Sequence, residues 1–279
     1  RNGDWESDLA FAEASASNAI KTGLHNGANT PPDLALSITD GWGVTRKLDV
    51  RSGDKGVVVW RTDPAVSNDE DPRDRGLAFW GNNVYNDLVD GRVIAINRDS
   101  GEIVWDKQVA RTGITDAFYG KEQFTAAPLA AEGKIVVGQS FGDAGTRGYL
   151  AALDPATGRE LWRRYSVPAP GEKGHETWLD QNQAWKTGGG GMWTTGSYDA
   201  DQKLLIWGVG QPVPMFDPEY RPGDNLFTNS ALAINVETGE IKWHFQYTPN
   251  ESWDFDENGV HMLVDTPIGG EMRKTVAHF

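Results

Sequence analysis

The sequence predicts an all-β fold, a β-propeller of four-stranded antiparallel blades, on three observations. An eleven-residue phrase recurs along the chain, Trp and Gly are abundant, and almost nothing has a helical period. The phrase is Ala-Ile-Asn-Arg-Asp-Ser-Gly-Glu-Ile-Val-Trp from Ala95 to Trp105. It returns with small changes from Ala152 to Trp162 and from Ala233 to Trp243. A looser copy runs from Leu48 to Trp60 and keeps Asp49, Ser52 and Gly53 in order. Each copy reads as a strand end, a polar turn closed by Ser/Thr-Gly, and a second strand ending in Trp. That is a β-hairpin, in which Gly supplies the positive φ of the turn.

One hairpin cannot bury both faces of its sheet, whereas hairpins repeated around an axis can, leaving few exposed edges. The large Trp ring suits docking one blade on the next, so Trp60, Trp105, Trp162 and Trp243 are expected to be buried. The intervals between these Trp residues are 45, 57 and 81 residues. A minimal blade needs roughly 40–50 residues, so the longer intervals carry insertions, which become loops on one face of a rigid scaffold. The exception to the β reading is Ser7 to Ile20, Ala-rich and compatible with one short helix. Residues 1–279 are expected to form a single propeller domain.

Composition narrows the function. The net charge is −14, which repels a phosphate backbone and argues against a nucleic-acid partner. No apolar run is long enough to span a membrane as a helix. There is no cysteine, so disulfides and thiolate metal sites are excluded within the chain. The five histidines lack metal-ligand spacing.

Four segments interrupt the repeat with chemistry. Asp69 to Trp80 sets Arg73 and Arg75 among carboxylates ahead of an apolar strand. Such a guanidinium can bind a carboxylate bidentately, or simply balance charge in a solvated loop. Phe124 to Pro128 pairs with Val137 to Tyr149, where glycines flank Ser140 and Asp143. Asp143 could hold a hard cation, or belong to an ordinary turn. Gly188-Gly-Gly-Gly-Met-Trp193 is costly in backbone entropy unless something lies close against it, and Trp193 could floor a pocket or dock a blade. Gln211 follows with a neutral oxygen. Thr248 to Asn258 is crowded with oxygens, and Asp254 and Asp256 are candidate general bases or metal ligands, or parts of an acidic surface loop.

Taken together, Arg-Gly-Leu-Ala-Phe-Trp, Arg-Gly-Tyr-Leu-Ala-Ala-Leu-Asp, Gly-Gly-Gly-Met-Trp, Arg-Pro-Gly-Asp-Asn and Thr-Pro-x-x-x-Trp-Asp resemble the quinoprotein alcohol dehydrogenases. Those are periplasmic enzymes that carry pyrroloquinoline quinone (PQQ) and a calcium or lanthanide ion on an eight-bladed propeller. The resemblance runs from about Trp60 to Val264. It implies that Arg75, Thr125 and Ser140 contact PQQ and that Trp193 stacks beneath it. It implies Asp143, Gln211 and Asp254 as metal ligands, with Asp254 also the catalytic base. Asn26 falls near a further cofactor position.

Departures from the family pattern set further expectations. Asp69-Glu70 replaces the adjacent cysteines often found there. Asp143 is a methylene shorter than the usual Glu, and Gln211 a methylene longer than the usual Asn. Ser252 is read as standing where lanthanide-dependent members carry an extra Asp, so Ca²⁺ is expected over a lanthanide. The chain stops at Phe279, which on this resemblance makes it about the N-terminal half of an enzyme. The rest of the ring would come from further sequence or a second chain. The implied activity is oxidation of an alcohol, polyol or sugar, with electrons passed to a cytochrome-type acceptor. The competing readings are a non-catalytic scaffold of the outer-membrane assembly type, built from the same repeats, and a glycan- or polymer-binding propeller.

Overall fold

The structure, a computed structural model, describes residues 35–51, 55–114 and 121–278. The expected helix at Ser7–Ile20, Asn26, and the turn residues Ser52 and Gly53 lie outside the described residues. Within them the regular elements are strands and three short 3₁₀ turns, joined by loops.

The strands build successive antiparallel sheets in chain order. The first joins β1 (Ala35–Thr39), β2 (Thr45–Asp49) and β3 (Val57–Thr62). The second joins β4 (Ala78–Trp80), β5 (Asn83–Asp87), β6 (Arg92–Asn97) and β7 (Ile103–Gln108). In the third, β10 (Lys134–Ser140) pairs with both β8 (Gln123–Phe124) and β9 (Leu129–Ala131), and is followed by β11 (Tyr149–Leu153) and β12 (Glu160–Tyr165). The fourth joins β13 (Ser197–Asp199), β14 (Leu204–Val209), β15 (Ser230–Asn235) and β16 (Ile241–Gln246). A last hairpin pairs β17 (Met262–Ile268) with β18 (Glu271–Ala277).

The core lies between sheets, as strand alternation requires. On β6, Val93 and Ala95 pack with Ile135, Val137 and Tyr149 of the third sheet. Their neighbours Ile94 and Ile96 turn the other way, towards Trp60 and the first sheet. On the third sheet, Val136, Leu150 and Ala152 in turn meet Leu205, Trp207 and Leu232 of the fourth.

The repeat explains how the sheets dock. The third residue of each phrase caps its own turn: Asn97 accepts from the amides of Asp99 and Ser100, Asp154 from those of Ala156 and Thr157, and Asn235 from those of Glu237 and Thr238. This is the local bonding that Asn and Asp provide in turns. The turn then receives the Trp of the preceding sheet. Trp60 donates to the carbonyl of Arg98, Trp105 to that of Pro155, and Trp162 to that of Val236, each at 3.0 Å. Gly101, Gly158 and Gly239 each lie against that same ring at positive φ, where a Cβ would come within 2.7–2.9 Å of it. Glycine is required here twice, for its φ and for its missing side chain.

Trp243 departs from expectation. Trp60 and Trp105 are buried and Trp162 is partly buried, but Trp243 is 40 % exposed. Its ring lines a groove with Leu263 and Val264 of the β17–β18 hairpin, and no repeat turn covers it among the described residues.

Candidate active site

The insertions between the repeats meet at one cavity of about 240 Å³. The seven residues that the family resemblance makes cofactor contacts, metal ligands or base line it: Arg75, Thr125, Ser140, Asp143, Trp193, Gln211 and Asp254. Arg73, Phe141, Gly142, Gly191, Met215 and Asp256 complete the wall.

One side is cationic and rich in hydroxyls. Arg75 sits just before β4, and its Nη1 donates to the carbonyl of Thr125 at 2.9 Å and to its hydroxyl at 2.5 Å. That hydroxyl lies 2.9 Å from the Ser140 hydroxyl at the end of β10, and both side chains are buried. Burial, and then the charge of Arg73, lower the Arg75 pKa from its ordinary value. The Arg75 guanidinium also lies 4.8 Å from the centre of the Trp193 ring, a cation–π arrangement. Arg73 caps Phe141 in the same manner at 5.0 Å.

The other side is acidic. Asp143 projects from the 3₁₀ turn Gly142–Ala144 and is exposed. Gln211 is buried at the end of the segment after β14, its amide N–H reaching the sulfur of Met215 at 3.2 Å. Asp254 is exposed at the rim. Asp256 lies deeper. One of its oxygens accepts the Trp193 indole N–H at 2.7 Å, and the other accepts the Asn258 amide at 3.0 Å. Burial raises its pKa above the usual carboxylate value and the charge of Asp254 adds to that, while the bonds from Asn258 and Trp193 oppose the rise. Asp254 and Asp256 both adopt positive φ, 64° and 52°, strained for residues other than glycine.

Three sequence expectations can be set beside these residues. First, the close approach expected at the glycine run is made by protein groups. A Cβ on Gly188 would strike Trp178, one on Gly189 the Gln211 carbonyl, and one on Gly190 the Ser166 hydroxyl, each at 2.7 Å. The run is a seam between loops, and only Gly191 reaches the cavity. Second, Asp143, Gln211 and Asp254 share the cavity, and among the described residues no group of three or more His, Cys, Asp or Glu side chains is gathered closely enough to hold a metal ion without the amide of Gln211 or some movement. Third, Ser252 does not line the cavity and Asp256 does. Asp256 is one carboxylate more at the cavity than the calcium expectation counted. Asp256 stood in the acidic run, and the signal favouring it is the Trp193 N–H.

The donor set suits a planar polyanion beside a hard cation. Two guanidiniums and two hydroxyls face one part of the cavity, an aromatic face lies beneath, and oxygen ligands face the rest. With these residues PQQ and a metal ion are chemically compatible, provided Arg75 yields the Trp193 face.

Comparison with known proteins agrees. Residues 47–279 match the PQQ-type glucose/ethanol/alcohol dehydrogenase β-propeller domain, and the chain belongs to that family. It is 34 % identical to quinohemoprotein alcohol dehydrogenase ADH-IIG of Pseudomonas putida, over 97 % of this chain and 39 % of the relative. It is 35 % identical to quinoprotein alcohol dehydrogenase PedH of Pseudomonas putida, over 83 % of this chain and 40 % of the relative. Among solved structures, a quinohemoprotein alcohol dehydrogenase from Comamonas testosteroni superposes with a TM-score of 0.78 at 30 % identity, covering 88 % of this chain and 38 % of that one. A europium-containing methanol dehydrogenase also gives 0.78, at 28 % identity, covering 88 % and 45 %. The chain thus spans about two fifths of the length of the curated relatives it matches.

Proposed function

We propose that this member of the PQQ propeller family forms the cofactor-bearing part of a quinoprotein alcohol dehydrogenase. The single observation that carries the reading is the joint cavity. Arg75, Thr125, Ser140 and Trp193 face it together with Asp143, Gln211, Asp254 and Asp256. A binding scaffold would have no need of that combination.

On this reading Arg73 and Arg75 hold the carboxylates of the quinone, Thr125 and Ser140 orient its edge, and Trp193 supports its plane. PQQ, when bound, supplies a carbonyl carbon able to accept hydride, made more electrophilic by a Lewis-acidic cation. Asp254 takes the proton from the alcohol hydroxyl, a role open to it as a rim carboxylate reachable by substrate. Asp256, tied to Trp193, stays behind as a fixed ligand. The product is an aldehyde or ketone.

Three carboxylates and one amide line the cavity, and drawn together on one cation they would suit a trivalent lanthanide as well as Ca²⁺. That a similar dehydrogenase contains europium supports keeping both. The family relationship further supports one eight-bladed propeller, of which this single domain is about the N-terminal half. It also supports a periplasmic location and a cytochrome-type electron acceptor. Alcohols are the proposed substrate class, with polyols and sugars within it.

The test is reconstitution of the complete protein with PQQ and either Ca²⁺ or La³⁺, followed by alcohol-dependent dye reduction. Quinone absorbance that stays with the protein and bleaches on adding alcohol is expected. Protein that retains no quinone under either metal would overturn the proposal.

A further inference from the structure

Behind the loop that carries Asp254 and Asp256, two histidine rings lie flat on each other. His261, just before β17, and His278, just after β18, have centroids 4.3 Å apart and planes within 4°. His261 is buried at 1 % exposure, and its Nε2 lies 2.9 Å from the Tyr247 hydroxyl. Burial, and then the neighbouring His278, push its pKa down to about 4, although a bond to the Gly259 backbone opposes this. It is therefore neutral at ordinary pH. With Nδ1 donating to that backbone, Nε2 accepts from Tyr247. Tyr247 also packs on His278, with ring centres 4.8 Å apart.

His278 reaches the other way. Its Nε2 lies 3.0 Å from a carboxylate oxygen of Glu257, the residue next to Asp256. Two glycines make room for the stack: a Cβ on Gly259 would come 2.7 Å from His278, and one on Gly208 would come 3.1 Å from His261. Neither histidine lines the cavity. The loop they back is the one with two strained aspartates, a conformation that persists only where its surroundings over-determine it.

We propose that His278, braced by His261 and Tyr247, is a positioning residue that acts through Glu257 to hold the loop of Asp254 and Asp256 with both carboxylates facing the cavity, where a cation would draw them together. The stack fixes the His278 ring, the ring fixes Glu257, and Glu257 fixes the peptide adjoining Asp256. On the far side, Trp193 and Asn258 hold the Asp256 carboxylate. The loop is clamped from both faces, so removing one clamp frees ligands that must otherwise be ordered when the cation binds. The inference rests on the cation reading given above.

The probe is Tb³⁺ titrated into the complete protein without quinone, read by tryptophan-sensitised luminescence. The site-specific signal is the part lost in Asp256→Asn. His278→Ala is expected to weaken the site-specific Tb³⁺ affinity by about 10- to 100-fold, the range seen when groups that orient metal ligands are removed. His278→Gln keeps an N–H for Glu257 and should restore most of it. Glu257→Ala should match His278→Ala, and the double variant should lose no more than either single one, as expected of residues acting in series. If wild type and Asp256→Asn titrate alike, the cation reading itself fails. If wild type shows the site and His278→Ala keeps its affinity within about twofold, or the losses in the double variant simply add, the positioning role is wrong while the cation site stands. Should His278→Ala fail to fold, Glu257→Ala and His278→Gln decide the question by the same criteria.

Discussion

The indole N–H of Trp193 donates to a carboxylate oxygen of Asp256 at 2.7 Å, across 63 residues of sequence. The aromatic floor of the cavity and its deepest carboxylate are thereby one unit. A ligand stacked on the ring and a cation held by the acid would report on each other.

That coupling separates two substitutions. Trp193→Phe keeps an aromatic face but removes the N–H, so Asp256 loses that bond, keeps those from Asn258 and the Gln211 backbone, and gains freedom. A cation affinity reduced several-fold is expected, with quinone retained. Trp193→Ala removes the face as well and should release quinone. Dialysis of the reconstituted protein, followed by quinone absorbance and metal analysis, distinguishes them. Equal quinone retention in both variants would show that the ring is not a stacking floor.

Asp254 and Asp256 should fail differently. Asp254→Asn removes the proposed base but keeps one ligand oxygen. Turnover at saturating quinone should fall by about 10²–10⁴ with binding largely kept. Asp256→Asn should lower cation affinity first, and raising the metal concentration should recover much of the rate. Full turnover in Asp254→Asn would assign the base elsewhere.

The docking of the sheets can be tested at one glycine. Gly158 has φ +70°, and a Cβ there would meet Trp105 at 2.9 Å. Gly158→Ala combines a left-handed backbone, about 1–2 kcal/mol, with overpacking of about 1–3 kcal/mol. Gly171 has φ +87° and open space around its Cβ position, so Gly171→Ala carries the backbone cost alone. Urea unfolding should find Gly158→Ala the less stable by at least 1 kcal/mol. Equal stabilities would mean that the ring gives way freely.

These contrasts mark what was legible in the sequence. The repeat could be read because every part of it is local: the Asn or Asp cap, the positive-φ Gly and the Trp occupy fixed offsets. The acceptor of each Trp was not legible, since it belongs to the next sheet, and so neither was the exposure of Trp243. The cavity residues were found through family motifs that keep their spacing. The anchoring of Asp256 was not legible, because it depends on how far the Trp193 N–H reaches. The four-glycine run shows in composition that something approaches the backbone closely, but not that it is Trp178, Gln211 and Ser166. His261 and His278 carried no spacing signal, as they meet only once β17 and β18 pair.

A last prediction concerns pH and lies behind Arg75. Asp74 accepts from the Gly76 amide at 2.9 Å and from the Thr39 hydroxyl at 2.8 Å. Burial nonetheless raises its pKa to about 6. Nearby Asp87 is completely buried, neither of its carboxylate oxygens has a hydrogen-bond partner, and burial followed by the Asp74 charge drives its pKa well up. The sign follows from linkage. A carboxyl whose folded pKa exceeds its unfolded value binds its proton more tightly when folded, so above pH 6 it opposes folding, and this opposition fades as pH falls from about 6 to 4. Asp74→Asn keeps an acceptor for Gly76 and removes the charge. It should therefore be more stable than wild type at pH 7.5, with the gap closing by pH 4. A shift of about 2 units sets the change in that gap at roughly 2–3 kcal/mol. Urea midpoints of both proteins at the two pH values measure it. A gap that stays constant would mean that Asp74 remains ionised at little cost, with water or Arg75 supplying the compensation.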